Sequence, residues 1–363
     1  MATLTDREVA RWRLRTQRLA APHAEDAAAV VEHLLCVQAE NVGQTAWAVA
    51  ARTATPDAAD LDALVADGRV VRTHVLRTTW HYARAEDIGW LLELTEPRVR
   101  RTIRKGLIAA GDFDDQRIDR MTGIVLDTLA AAPDRTRDEL AEALGAEGLD
   151  PGGYALMLLL ADLELRRLVV SGRPRDGVHT YARYEDRVPA RSFDRDEALA
   201  TLALRYVTGH GPATLDDLVY WATLTRGDAK KGLAAVQDQL ESFEHDGRTY
   251  WHAPGDEPPA PDAAVEPRGH LLLILDELYR GYQDSRMVLD GAGRVPRGRE
   301  TAIGMAVVDG QMVAKMKRTV TARKVRFDLT PYDTLRDGDR DALDEAAQRY
   351  AAFLGVEREV IVS

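Results

Sequence analysis

Cysteine occurs once in the 363 residues, at Cys36. A single thiol excludes an internal disulfide and supplies too little sulfur for a structural zinc site, and the nine histidines are scattered without metal-ligand spacing. Glycine-rich phosphate loops, dinucleotide fingerprints and Gly-x-Ser-x-Gly elbows are absent. The acids of "GDFDDQ" (111–116) do not alternate around a central glycine, as a calcium loop requires. No apolar run is long enough to span a bilayer, and no secretory leader is visible. These absences remove the usual metal- and nucleotide-dependent enzyme classes, and they predict a cytoplasmic protein with no metal, no other cofactor and no membrane partner.

Positive charge is also in deficit, with a net charge of −11. A polyanionic partner is therefore disfavoured by the whole chain, but binding follows the local field. The acids gather in 134–147 and in the proline-rich 253–267. Cations gather elsewhere: "PRVRRTIRK" (97–105) contains Arg98, Arg100, Arg101, Arg104 and Lys105, and "QMVAKMKRTVTARKVRF" (311–327) has six cations and no acid. Solvated helix and strand faces are the competing explanation for each cluster.

The pattern of periodicities predicts an α+β fold, mainly α. Residues 26–35 carry Val30, Val31, Leu34 and Leu35 on one helical face, 44–51 and 60–65 read as two further helices, and "RVVRTHVLRTTWHYAR" (69–84) alternates as strands do. The same order then recurs. Thr136 with Glu139 has the capping-box form, a leucine-rich helix starts near Gly153, and "RLVVSGRPRDGVHTYAR" (167–183) reads as a hairpin. A third round has a helix over 196–209, helix starts at Thr214 and Thr225, and a turn at Asp246-Gly247. Helices followed by a hairpin is the winged-helix order, so the expected organisation is three tandem winged-helix modules over 1–130, 131–190 and 191–253. A proline-rich linker over 254–267 then leads to a β-rich region with a terminal helix over 268–363, in which Asp309-Gly310 marks a hairpin turn.

One stretch resists a purely structural explanation. In "LLCVQAENVGQ" (34–44) an apolar helical stripe stops, and Gln38-Ala39-Glu40 follows. Two positions apart on extended backbone, the amide and the carboxylate share a side, while Val37 and Ala39 take the other. Such a pair can hold one water, with the carboxylate taking its proton and the amide orienting it. Capping of the next helix is the competing structural role. Within "RTTWHYAR" (77–84), Trp80 and His81 face opposite ways, so one packs inward and the other is expected to reach a cleft, where His81 could titrate near neutrality. Cys36 reads as a core residue.

Taken together, "LLCVQAE", "VVRTHVLRTTWHYA", "ILDELYRGYQDSR" and "AAQRYAAFLGV" resemble the winged-helix DNA-binding family that contains the AlkZ/YcaQ-type bacterial DNA glycosylases. The resemblance implies winged-helix modules curved around double-stranded DNA, forming a cleft. It also implies monofunctional hydrolysis of the N-glycosidic bond of N7-alkylated purines, including bulky guanine adducts and interstrand crosslinks, in repair or antibiotic self-resistance. The family's signature of Gln, an aliphatic residue and then Gln or Asp falls on Gln38, Ala39 and Glu40. Glu40 departs from both forms, keeping the carboxylate of the Asp type with one more methylene. Gln38 and Glu40 are thus the expected catalytic pair, with His81, Asn41 and Trp80 in support. Arg98, Arg101, Arg104, Lys105, Arg294, Arg297, Arg299, Lys315, Lys317, Arg318, Arg323 and Lys324 are the expected DNA contacts, and a DNA-encircling array of this kind can work as a monomer. Two other classes compete: a non-catalytic winged-helix regulator, and a module whose wings bind protein. The helices expected after Gly153 and Asp228 offer few Arg, Asn or Gln at their starts, which favours backbone and shape recognition over sequence reading.

Overall fold

The computed structural model describes residues 4–363 apart from 112, 192, 261–264, 274 and 297–303. The fold is α+β and about half helical. Helix α1 (Asp6–Thr16) stands before a set formed by α2 (Ala27–Leu34), β1 (Cys36–Gln38), α3 (Val42–Ala50), α4 (Ala58–Asp67), β2 (Val70–Arg77) and β3 (Thr79–Arg84). Its strands run in the order β1-β3-β2, all antiparallel. The 27-residue α5 (Ala85–Gly111) then crosses to a second set: α6 (Asp115–Ala131), β4 (Arg135–Thr136), α7 (Arg137–Ala146), α8 (Gly153–Leu165), β5 (Val169–Ser171) and β6 (Thr180–Arg183), with strands ordered β4-β6-β5.

The third set is α9 (Arg195–His210), α10 (Leu215–Ala222), α11 (Arg226–Val236), β7 (Glu241–His245) and β8 (Arg248–His252). Here the short first strand is reduced to one bridge, Ala213 against Trp251. Each set therefore has a helix, a short strand or bridge, two helices and a hairpin. The sequence signals account for many of these starts: Thr136 with Glu139 and Thr214 with Asp217 form reciprocal capping boxes, and Thr225 caps α11. The sequence did not reveal the short strands, because two- and three-residue strands carry no period of their own.

Beyond the third set, 254–267 was expected to be a linker. Its Asp256 accepts hydrogen bonds from Arg15 and Thr16, both at 2.8 Å, so this part is tied to α1. The "HLLLILDELYRGYQDSR" segment, expected to start a β-rich region, is a strand only through β9 (Gly269–Leu273) and then turns into α12 (Glu277–Arg280) and α13 (Arg286–Leu289). With β10 (Gly304–Val308), β11 (Gln311–Val320), β12 (Lys324–Pro331) and β13 (Glu357–Val362) it makes a sheet ordered β13-β12-β11-β10-β9, covered by α14 (Asp337–Leu354). The β12–β13 pair is parallel, and the α14 crossover supplies the long connection that parallel pairing needs.

Apolar burial ties these parts together. One cluster runs from Val71 and Val75 of β2 through α5, α6, α7 and α8 to Leu199, Tyr206 and Trp221 of the third set. A second joins Val9, Ala10 and Leu14 of α1 and Trp47 of α3 to β9–β12 and α14. Among the described residues no helix is long and apolar enough to cross a membrane.

Candidate active site

The chain reverses sharply just before the Gln-Ala-Glu stretch. Leu35 ends α2 with φ +64° and ψ −47°, which costs an L-residue on the order of 1–2 kcal/mol, and it is fully buried. The turn lets Cys36–Gln38 leave the helix and pair with β3, placing Gln38 opposite His81. Cys36 is buried, as expected of a core residue.

Gln38 and Glu40 converge on the start of β3. The Gln38 amide Nε2 donates to Thr79 Oγ1 at 3.4 Å, and Glu40 Oε2 accepts from the Trp80 backbone N–H at 3.4 Å. Between them, Ala39 is anchored through its N–H to the Trp80 carbonyl (2.7 Å) and through its carbonyl to Arg72 Nε (2.9 Å). Gln38 is 6% exposed, whereas Glu40 is open to solvent. A buried amide beside an exposed carboxylate, both fixed to one strand end, is an arrangement that can hold and deprotonate a water molecule. Asn41 caps α3 by accepting from the Gln44 N–H at 3.1 Å, so its visible work is helical.

His81 is not on the open side of the strand. It is fully buried, with Nδ1 3.0 Å from the Thr79 carbonyl and Nε2 3.3 Å from an Arg77 nitrogen. Burial first, and then the Arg77 charge, push its pKa down to about 3. The expectation of a cleft histidine titrating near neutrality is therefore corrected: His81 is neutral at physiological pH, with Nδ1–H donating to Thr79 and Nε2 accepting from Arg77. Its ring resonances are expected to show no titration by NMR between pH 5.5 and 8, and an inflection above pH 6 would refute this.

Trp80 is the half-exposed partner on the opposite face. It lies under the Arg72 guanidinium at 4.3 Å and beside the His74 ring at 4.5 Å, and its indole N–H donates to Glu164 Oε1 at 3.3 Å. Glu164 is fully buried and also contacts His74 Nδ1. Burial would raise its pKa, but the His74 interaction outweighs this and holds it below the usual carboxylate range. Trp80 thus joins the first set to α8 of the second.

Beneath Gln38 lies a group that was not singled out from the sequence. Glu277 of α12 is fully buried, and its Oε1 accepts from the Gln38 backbone N–H at 3.0 Å. Its Oε2 accepts from Trp221 Nε1 at 3.0 Å and lies 3.4 Å from His210 Nε2. Burial opposes its ionisation, but the His210 hydrogen bond and the Arg77 charge outweigh it and hold the pKa at about 2. Next to it, Asp276 clasps Arg52 through two 2.9 Å contacts, both side chains buried. Adjacent acids closing the apolar run "LLLILDE" were the available signal, since buried carboxylates demand partners.

The expected phosphate contacts divide. Arg98, Arg101 and Lys105 are exposed, lie three and four residues apart on one face of α5, and make no ion pair among the described residues. Lys317 and Arg323 are exposed and Lys315 is half-buried, also without such pairs. Four others have intramolecular partners: Arg104 bonds Asp115, Arg318 bonds the Tyr350 hydroxyl, Lys324 pairs with Glu359 at 2.7 Å and Arg294 pairs with Asp333 at 2.9 Å. Arg297 and Arg299 lie outside the described residues.

A family model described as DNA glycosylase AlkZ-like matches residues 31–353. A curated relative, the interstrand DNA cross-link repair glycosylase of Streptomyces sahachiroi, is 27% identical over 261 residues, spanning 67% of this chain and 68% of that protein. The solved structure of Streptomyces sahachiroi DNA glycosylase AlkZ matches in fold with a TM-score of 0.72 at 22% identity, covering 99% of this chain and all of that one.

Proposed function

The chain belongs to the AlkZ-like DNA glycosylase family and is thus a hydrolase of N-glycosyl bonds in DNA, and from that premise we propose that it is a monofunctional glycosylase releasing N7-alkylated purines, with Gln38 and Glu40 as its catalytic pair. The observation that carries this reading is the meeting of both side chains at Thr79–Trp80. An N7-alkylated guanine already carries positive charge, so the C1′–N9 bond breaks with its electron pair passing to the purine. The sugar is left as an oxocarbenium-like cation. Glu40 stabilises that cation and takes the proton of the attacking water, while the Gln38 amide orients the water.

The thrice-repeated order of helix, short strand, two helices and hairpin supports reading the body as three winged-helix modules, and an open cleft between them would accept bulky adducts and crosslinks that fit no snug pocket. The uncommitted cations Arg98, Arg101 and Lys105, with Lys315, Lys317 and Arg323, are the proposed phosphate contacts of a monomeric enzyme on duplex DNA. Replacing Arg98, Arg101 and Lys105 together by alanine is expected to reduce the slope of log affinity against log salt by about 2–3, with base release at saturating protein unchanged. An unaltered slope would remove this stripe from the DNA footprint.

The test of the function is base release from a duplex with one N7-methylguanine, read as strand breaks after heating in base. Release by the wild-type protein is expected. No release from this or a bulkier N7 adduct, with DNA still bound, would leave a DNA-binding protein on a glycosylase scaffold.

A further inference from the structure

Behind Gln38 is a small cavity lined by Gln38, Gln44, Thr45, Trp47, Ala48, Leu273, Leu275 and Asp276. The space for the centre of a water molecule is about 10 Å³, the least that holds one water. Most polar groups in its wall are satisfied. Thr45 Oγ1 donates to the Gln38 carbonyl at 2.8 Å, Trp47 Nε1 donates to the Leu271 carbonyl at 3.2 Å, and both Asp276 oxygens take hydrogen bonds from Arg52. Two are not: the amide oxygens Gln38 Oε1 and Gln44 Oε1 are each shielded from solvent and have no hydrogen-bond partner among the described residues. A buried acceptor left unpaired is costly, so each of these two oxygens calls for a donor.

Gln44 is well placed to be more than a helix residue. It is the third residue of α3, where a Gln side chain commonly folds back to the N-cap N–H. Here only the forward half of that exchange exists, Asn41 accepting from the Gln44 N–H, while Gln44 lines the cavity and its amide oxygen is buried.

We propose that one water molecule fills this cavity and donates a hydrogen bond to each amide oxygen, making Gln44 a positioning residue for Gln38. The water fixes the rotation of the Gln38 amide. With Oε1 held inward, Nε2 is committed to the Thr79 side, where it already donates to Thr79 Oγ1. Gln38 therefore presents N–H, not carbonyl oxygen, to the nucleophilic water, so that this water's protons point to the Glu40 carboxylate. An amide free to flip would spend part of its time presenting the wrong end.

This inference rests on the catalytic role proposed for Gln38, and its tests separate the two. Gln44→Met keeps the length of the side chain and removes the acceptor, whereas Gln44→Glu keeps an acceptor. Single-turnover base release is expected to fall about tenfold in Gln44→Met and to stay within about twofold of wild type in Gln44→Glu, with DNA affinity unchanged in both. In a Gln38→Ala background, Gln44→Met is expected to add no further loss. Wild-type rates in Gln44→Met, or an undiminished loss in the Gln38→Ala background, would overturn the relay. A crystal structure of the wild-type protein decides the water independently of activity: density within hydrogen-bond distance of both amide oxygens supports it, and direct amide–amide contact refutes it. Should the wild type release no base, the glycosylase reading fails while the crystal structure still tests the water.

Discussion

Glu40→Gln is expected to lower single-turnover release of N7-methylguanine by about 10²- to 10³-fold, equivalent to roughly 2.7–4 kcal/mol of transition-state stabilisation. The substitution keeps the size and the acceptor oxygen that Trp80 N–H uses at 3.4 Å, and removes only the charge and the capacity to take a proton. Because Glu40 is exposed, folding stability should change by less than about 0.5 kcal/mol. DNA affinity should hold within about twofold, which places the loss in the chemical step. The variant also converts Gln38-Ala39-Glu40 into the Gln-ending form of the signature it resembles. Release at the wild-type rate by the Glu40→Gln variant would therefore mean that an amide suffices and that the negative charge is dispensable.

Glu277→Gln is the substitution expected to damage the fold most for the smallest change in shape. All three contacts of the carboxylate come from the donor side: the Gln38 N–H, the Trp221 indole N–H and His210 Nε2. A carboxamide accepts through one oxygen and would turn its NH₂ against another donor. The loss should be about 3–5 kcal/mol, as for breaking other buried charge arrangements, with Tm down by roughly 4–7 °C at pH 7. Its pH dependence has a definite sign. The folded pKa of about 2 lies below the ordinary 4.5, so the stabilisation is complete above pH 4.5 and is lost as pH falls toward 2. The gap between wild type and variant should therefore be widest near neutrality and close in acid. A gap that is constant with pH, or a variant as stable as wild type, would show that the carboxylate charge does not hold these elements together. Since Glu277 also supports the Gln38 backbone, any folded fraction of the variant should release base slowly.

How far the site could be read from the sequence depended on how local each feature is. Thr136 with Glu139 and the Asp309-Gly310 turn announce themselves within four residues, and the structure has both. Gln38 and Glu40 were legible because two polar side chains interrupt an apolar stripe. Their shared side was legible because extended backbone alternates. The strand that makes it extended was not, since β1 exists only by pairing with β3 more than forty residues later. The orientation of β3 had the same problem. Alternation puts Trp80 and His81 on opposite faces but does not say which face is covered; Arg77 lies against His81, and Glu277 of the C-terminal part binds Gln38, the residue opposite it. The basic clusters were visible as composition. Which cations are free was not, because the acids that hold Arg104, Arg294 and Lys324 are 11, 39 and 35 residues away.

The packing of α1 has a consequence for how the protein is made. Val9, Ala10 and Leu14 are buried in the cluster built from β9–β12 and α14, Arg7 pairs with Asp309, and the β10–β11 turn at Gly310 sits against Ala10 and Arg11. On a ribosome adding about 5–20 residues per second, that sheet emerges on the order of tens of seconds after α1. In that interval α1 can meet the third set, where Trp12 stacks on Phe243, but the apolar side carrying Val9, Ala10 and Leu14 stays uncovered until the sheet is made. A chain of this topology therefore completes one side of an early helix only by a contact closed across roughly 300 residues, the kind of non-local closure that slows folding.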